Sequence, residues 1–167
     1  MTIRLIEARD LPDLFELRAS TRENPYSRDA LREIGITEES TAALLLTTHR
    51  GWLCETNGRK IGFAIGNSST GELCVIAVLP EFEGRGVGTQ LLDAVETWLF
   101  CLGCGELWLW TSSDPNKRAF SFYVRHGWVV TETKGDIVYM KKKTPNQSSE
   151  PTPASVTPPA EQGPRLP

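Results

Sequence analysis

Three glycines at alternate positions, Gly84, Gly86 and Gly88, have the spacing in this chain that points most directly to chemistry. They follow an apolar run, Leu73 to Leu79, which reads as a buried strand because Val75, Ile76 and Val78 are β-branched. Pro80 closes that run. From Thr89 the period turns helical, with Leu91, Leu92, Val95, Trp98 and Leu99 on one face. Strand, glycine loop and helix in that order leave backbone N–H groups free at a helix N-terminus, where a phosphate can approach closely. The ligand expected there is a pyrophosphate. A Walker loop would need a lysine after the glycines, and none follows. A dinucleotide fingerprint would need a third glycine where Leu91 stands.

What remains is a loop that resembles the acetyl-CoA loop of the GNAT superfamily of N-acetyltransferases, Gln/Arg-x-x-Gly-x-Gly/Ala. Arg85-Gly86-Val87-Gly88 matches it, and Glu83 stands where Gln or Arg is usual. A second block, Asp114 to Trp128, carries the family's other motif. Asn116, Ala119, Phe122, Tyr123, Gly127 and Trp128 fill that pattern in register. The resemblance runs from about Thr2 to Lys142. It implies an α/β fold of GNAT type, a mixed, mostly antiparallel central sheet of about seven strands flanked by helices. It also implies that the central strand and the next one, ending near Val78 and Thr111, splay apart and expose backbone to a pantetheine arm.

The implied activity is that of an acetyl-CoA-dependent N-acetyltransferase. An acetyl group would pass to a primary amine by direct attack in a ternary complex, with acetyl-CoA as co-substrate and no metal. A non-catalytic acyl-CoA-binding module on the same fold is the alternative. By the resemblance, Arg85, Gly86, Val87, Gly88 and Thr89 hold the pyrophosphate. The backbone around Ile76 and Val78 bonds the pantetheine and the thioester carbonyl, and Asn116 contacts the CoA arm. Tyr123 is the expected general acid, because a phenol with a pKa of about 10 is protonated at neutral pH and can serve a leaving thiolate. It stands seven residues after Asn116, which on a helix would put both on one side. Glu72, at the start of the central strand, is where the histone-acetyltransferase branch has a catalytic glutamate. No Cys–His–acid set occupies a family position.

Other elements must position these groups. Thr2 to Glu7 reads as a first strand, and Asp10 as the cap of a helix to about Arg22. Ser27 caps a short helix that Gly35 ends, and Thr37 caps another from Glu38 to about Thr48, with His49 at its end. In the resembled family these helices form one wall of the acceptor cleft. Here that wall mixes Arg18, Arg22, Glu23, Asn24 and Tyr26, favouring neither a cationic nor an anionic acceptor. Trp52 to Thr56 and Ile61 to Gly66 read as strands joined by Asn57-Gly58, the sequence of a type I′ hairpin turn. Leu107 to Thr111 alternates Leu and Trp as a strand. Asp114 and Pro115 read as N-cap and first residue of a helix that Gly127 stops. Trp128 to Thr133 and Ile137 to Lys142 form a last hairpin.

A chain of 167 residues with 40% apolar content is expected to form one domain, its core carried largely by five tryptophans. A net charge of −3 gives no basic field for nucleic acid or an anionic membrane. With no long apolar run and no signal peptide, the expected location is the cytoplasm. The acceptor would be a small-molecule or protein amine, and the family's frequent dimers leave a homodimer open. Cys101 and Cys104 make a lone C-x-x-C without the second pair that a zinc site needs. Residues 1–143 form the expected domain. In 144–167, which hold seven of the eleven prolines and no aromatic residue, a disordered Pro-rich tail is expected.

Overall fold

The computed structural model describes residues 1–23 and 25–144. Asn24 and the Pro-rich segment 145–167 lie outside the described residues. Among the described residues seven strands form one sheet: β1 (Thr2–Leu5), β2 (His49–Thr56), β3 (Arg59–Asn67), β4 (Glu72–Val78), β5 (Glu106–Ser112), β6 (Val129–Lys134) and β7 (Ile137–Lys143). Their spatial order is β1-β2-β3-β4-β5-β7-β6. Every neighbouring pair is antiparallel except β4–β5, which is parallel. Five α-helices of the described residues flank the sheet: α1 (Leu11–Ala19), α2 (Arg28–Glu33), α3 (Glu38–Leu45), α4 (Val87–Cys101) and α5 (Arg118–Arg125). The mixed sheet and its flanking helices are those expected from the resemblance.

Two apolar layers follow from the alternation of each strand. On one face α4 sets Leu91, Leu92, Val95 and Leu99 against Ile61, Leu107, Leu109 and Met140, all essentially inaccessible to water. On the other, Leu11, Leu14 and Leu17 of α1 pack on Leu53, Phe63 and Ala77. A β-bulge reverses the alternation in β4. Ile65 pairs with Val75 and Gly66 with Leu73, so Cys74 is the extra residue. The tryptophans are not the core. Only Trp128 is fully buried, and Trp110 is 49% exposed, because Leu107 and Leu109 take the covered face of β5 and turn Trp108 and Trp110 to the other.

The parallel pair opens almost at once. Its register holds one partner pair, Glu72 with Trp108, supported by a bond of 3.1 Å from the Trp108 N–H to the Gly71 carbonyl. Gly71 has φ +71°, and a Cβ there would lie 2.9 Å from the Glu106 carbonyl oxygen, so only glycine lets the strands meet at this point. Beyond it β4 and β5 part, as the resemblance implied.

Several local expectations shift for identifiable reasons. Asp10 does not cap α1 with its side chain. Its carboxylate turns back to accept from the Glu7 N–H and from Arg4. Helix α3 ends at Leu45, where Thr47 bonds back to the Ala43 and Leu44 carbonyls, and His49 opens β2 opposite Asn67 instead of closing a helix. Helix α4 begins two residues earlier than its apolar period suggests, because Gly86, at φ +80°, is its N-cap. Asp114 forms a turn with Asn116, so α5 starts only at Arg118. Asn57 and Gly58 both have positive φ, as a type I′ turn requires.

Candidate active site

Two cavities meet where β4 and β5 part. The first, about 350 Å³, lies over the N-terminus of α4. Gly84, Gly86, Gly88 and Thr89 line it, with Ile76 and Val78 along its floor. The first intrahelical bond of α4 runs from Gln90 N–H to the Gly86 carbonyl, so the amides of Val87, Gly88 and Thr89 sit at the helix's open end. Val87 offers only backbone, since its side chain is 1% exposed in the core. Arg85 is not in this lining. Its guanidinium stacks on Phe82, 5.4 Å from the ring centre.

Four guanidinium groups and an imidazole surround this cavity. Arg18, Arg22, Arg118, Arg125 and His126 line it, against two carboxylates, Glu23 and Glu83. Glu83 pairs with Arg118 and lies 3.7 Å from Arg22, so the charge that departs from the family pattern is neutralised in place. His126 is held from both sides. Its Nδ1 lies 2.8 Å from the Phe122 carbonyl, which can only accept, so Nδ1 carries the proton. Its Nε2 lies 3.1 Å from the Thr89 hydroxyl. Sequence reading missed Arg118, Arg125 and His126 as site residues and put Arg22 in the acceptor wall. No local pattern joins four positions spread over more than a hundred residues.

Tyr123 and Ile76 line both cavities, as do Arg18, Glu23 and Ala119. The Tyr123 ring packs edge-on against Phe122 and Trp128. Its hydroxyl makes no hydrogen bond among the described residues and so is open to a ligand. Burial raises the phenol above its ordinary range, and Arg18 partly opposes that shift. Glu23 reaches across from the segment after α1 and caps α5. Its carboxylate accepts from the Arg118 N–H at 2.8 Å and the Ala119 N–H at 3.3 Å. This distant cap replaces the local one expected at Asp114. Asn116 stands before α5, not on it, so it shares no helix face with Tyr123. Its amide nitrogen donates to Asp114 at 3.1 Å, and it lines neither cavity.

The second cavity, about 370 Å³, lies between β4–β5 and the helices α1, α2 and α3. Arg18, Glu23 and Tyr26 belong to its lining, with Arg18 stacked 4.9 Å over the Tyr26 ring. Glu72 is half-buried at the start of β4, and burial raises its carboxyl above the usual range. It does not line either cavity; Cys74 stands in the lining there. Burial, with the Glu72 carboxylate adding to it, pushes the Cys74 thiol up to about 12, so it is a neutral wall residue at physiological pH. His49 also lines this cavity, its pKa lowered by burial.

An open seam between parallel strands, a glycine-initiated helix aimed at one end and an adjoining cleft define an α/β protein with two connected cavities, one lined by helix-terminal amides and guanidinium groups and the other largely apolar. Residues 11–128 match the family model described as Acetyltransferase (GNAT) family. The chain belongs to that family and is an acetyltransferase. It is similar to two uncharacterised N-acetyltransferases of Methanocaldococcus jannaschii. One is 31% identical over 101 residues, 55% of this chain and 44% of that protein, so the match spans less than half of the relative. The other is 25% identical over 155 residues, 87% of this chain and 94% of that protein. Among solved structures, the PaiA N-acetyltransferase of Thermoplasma acidophilum in complex with coenzyme A superposes with a TM-score of 0.73 at 22% identity. That superposition covers 86% of this chain and 100% of that one, and it shows the shared fold. No metal-binding group of His, Cys, Asp and Glu occurs among the described residues, and no described helix is long and apolar enough to cross a membrane.

Proposed function

We propose that this protein transfers the acetyl group of acetyl-CoA to a primary amine by direct attack in a ternary complex. The observation that carries this reading is the meeting of the two cavities at Tyr123 and Ile76. One cavity has the amide and guanidinium donors a pyrophosphate requires, and the other has room for an acceptor.

In this reading the open end of α4, with Arg22, Arg118 and Arg125 around it, takes the phosphates of the co-substrate. Its pantetheine arm lies along the edge of β4 that β5 leaves uncovered. The thioester sits beside Ile76 and Val78, where a strand amide is placed to donate to the carbonyl oxygen. The amine nitrogen attacks the carbonyl carbon, the carbon–sulfur bond breaks, and the Tyr123 hydroxyl gives its proton to the leaving sulfur. Burial keeps that phenol protonated at neutral pH. The proton shed by the amine leaves through water, and Glu72, whose carboxyl is raised, is the proposed terminal acceptor. Asn116 would have to turn from Asp114 to reach the CoA arm. The alternative, a non-catalytic acyl-CoA-binding module, would rest on the departure from the family pattern at Glu83, and the pairing of that carboxylate with Arg118 and Arg22 weakens that basis.

Tyr123→Phe separates the two readings. The transferase should lose about 10²- to 10⁴-fold in kcat while its affinity for CoA stays within about twofold. Unchanged turnover would remove Tyr123 from the chemistry. A wild-type protein that binds acetyl-CoA and acetylates no amine would favour the binding module.

A further inference from the structure

Resting on that transferase reading, we propose that the acceptor is a primary amine carried on a large apolar body, an arylalkyl or long-chain alkyl amine, and that α1, α2 and α3 read that body. The charged residues noted in the sequence are a minor part of the cleft. Its walls are Leu11, Leu14, Phe15, Leu31, Phe63 and Ile65. All six are buried against the sheet or the helices, so the apolar surface is built into the fold.

The mouth continues the same character. Ile34, Ile36 and Leu44 line the cavity and are 64%, 42% and 42% exposed, and Trp110 forms part of the lining from β5. A single exposed leucine needs no explanation. Four large apolar side chains converging on one concave opening have the character of a ligand site.

Charge argues the same way. Among the described residues Glu23 is the one carboxylate in the lining, and it is held by the two N-terminal amides of α5. A polyamine entering this cavity would bury its further ammonium groups among leucines without a counter-ion. A free amino acid would meet the Arg18 guanidinium, which already stacks on Tyr26 and donates to Thr21, and would otherwise set its carboxylate against the same apolar walls. A peptide would carry amide groups that these aliphatic and aromatic side chains cannot pair. An amine whose only polar group is the nucleophile meets none of these costs. Its nitrogen lies at the junction with Tyr123 and Ile76, and its body fills the cavity toward α3.

The test is CoA release by the full-length protein with acetyl-CoA and a homologous series from butylamine to octylamine. 2-Phenylethylamine, spermidine, alanine and a short peptide with an apolar N-terminal residue complete the panel. If methylenes enter the cavity, kcat/KM should rise about fourfold for each one until the cavity is full. Spermidine and alanine should fall at least about a hundredfold below octylamine. Leu44→Glu changes a side chain that already meets solvent, so folding is retained. It should lower kcat/KM for octylamine about tenfold or more with CoA affinity, measured by calorimetry, unchanged. A flat alkyl series, or a preference for spermidine or for the peptide, in a protein that binds CoA would overturn the proposal and leave the transferase reading standing. Failure to bind CoA at all would overturn both.

Discussion

Asp10→Asn tests how helix α1, which lines the second cavity, is anchored. The Asp10 carboxylate is 1% exposed. It accepts from both terminal nitrogens of Arg4, at 2.7 and 2.9 Å, and from the Glu7 N–H at 2.9 Å, with Lys60 Nζ at 3.1 Å. These contacts tie β1, the start of α1 and β3 together, and α1 carries Arg18 and the leucines that line the second cavity. Asparagine keeps the shape and one acceptor oxygen, but it places an NH₂ and no charge beside two cations. Breaking a fully buried ion pair costs about 3–5 kcal/mol. Arg4 and Lys60 are partly hydrated, so the expected cost is reduced to about 2–3 kcal/mol. For a folded unit of this size that corresponds to a fall in Tm of about 6–10 °C.

The pH dependence gives the sharper check. Hydrogen bonds from Arg4, with that from the Glu7 amide, hold the Asp10 carboxyl well below the ordinary carboxylate range. The folded-state value therefore lies below the unfolded one, near about 3.9. Its contribution is fully present above the unfolded value and is lost as pH falls toward the folded one. Urea unfolding of wild type and Asp10→Asn should show a constant gap from pH 7 to about pH 5 that narrows steadily below about pH 4. A gap that does not change with pH, or one under about 0.5 kcal/mol at pH 7, would refute this account of the anchor.

Glu83→Gln restores a residue usual in the family and removes a negative charge from the phosphate cavity. It should tighten CoA binding severalfold, about 0.5–1.5 kcal/mol, with a gain that shrinks in salt; weaker binding would show that Glu83 acts by positioning Arg118 and Arg22. Glu96→Ala leaves the buried Trp128 Nε1–H, now 2.8 Å from Glu96, and the Lys142 ammonium, now at 2.6 Å, without their shared acceptor. It should cost about 2–3 kcal/mol by urea unfolding, and a loss under 0.5 kcal/mol would mean water replaces the carboxylate.

The parts of this fold that were legible in the sequence are those written in short windows. Leu73 to Leu79, the three glycines and the period of α4 lie within one continuous stretch, and the two positive-φ residues of the β2–β3 turn are adjacent. Helix boundaries that depend on distant partners were not legible. The start of α5 is set by Glu23, whose carboxylate arrives from 95 positions earlier to bond Arg118. The bulge at Cys74 leaves no mark in the composition of β4, yet it decides which face Leu73 takes. The same holds for the site. Motif register pointed to Gly86, Gly88, Thr89 and Tyr123, and the structure lines the cavities with them. Arg22, Arg118, Arg125 and His126 come together only after folding, and the apolar cleft draws its walls from α1, α2 and β3. Asn116, Arg85 and Glu72 matched family positions and yet line neither cavity.

The most direct test of the central claim is a calorimetric titration of the purified protein with acetyl-CoA and with CoA. The open end of α4 and its ring of arginines predict micromolar binding, one molecule per chain, weakening with salt as charge-assisted contacts to phosphate must. No heat and no saturation at millimolar ligand would contradict the account, because the seam between β4 and β5 would then lack the occupant on which every assigned role depends.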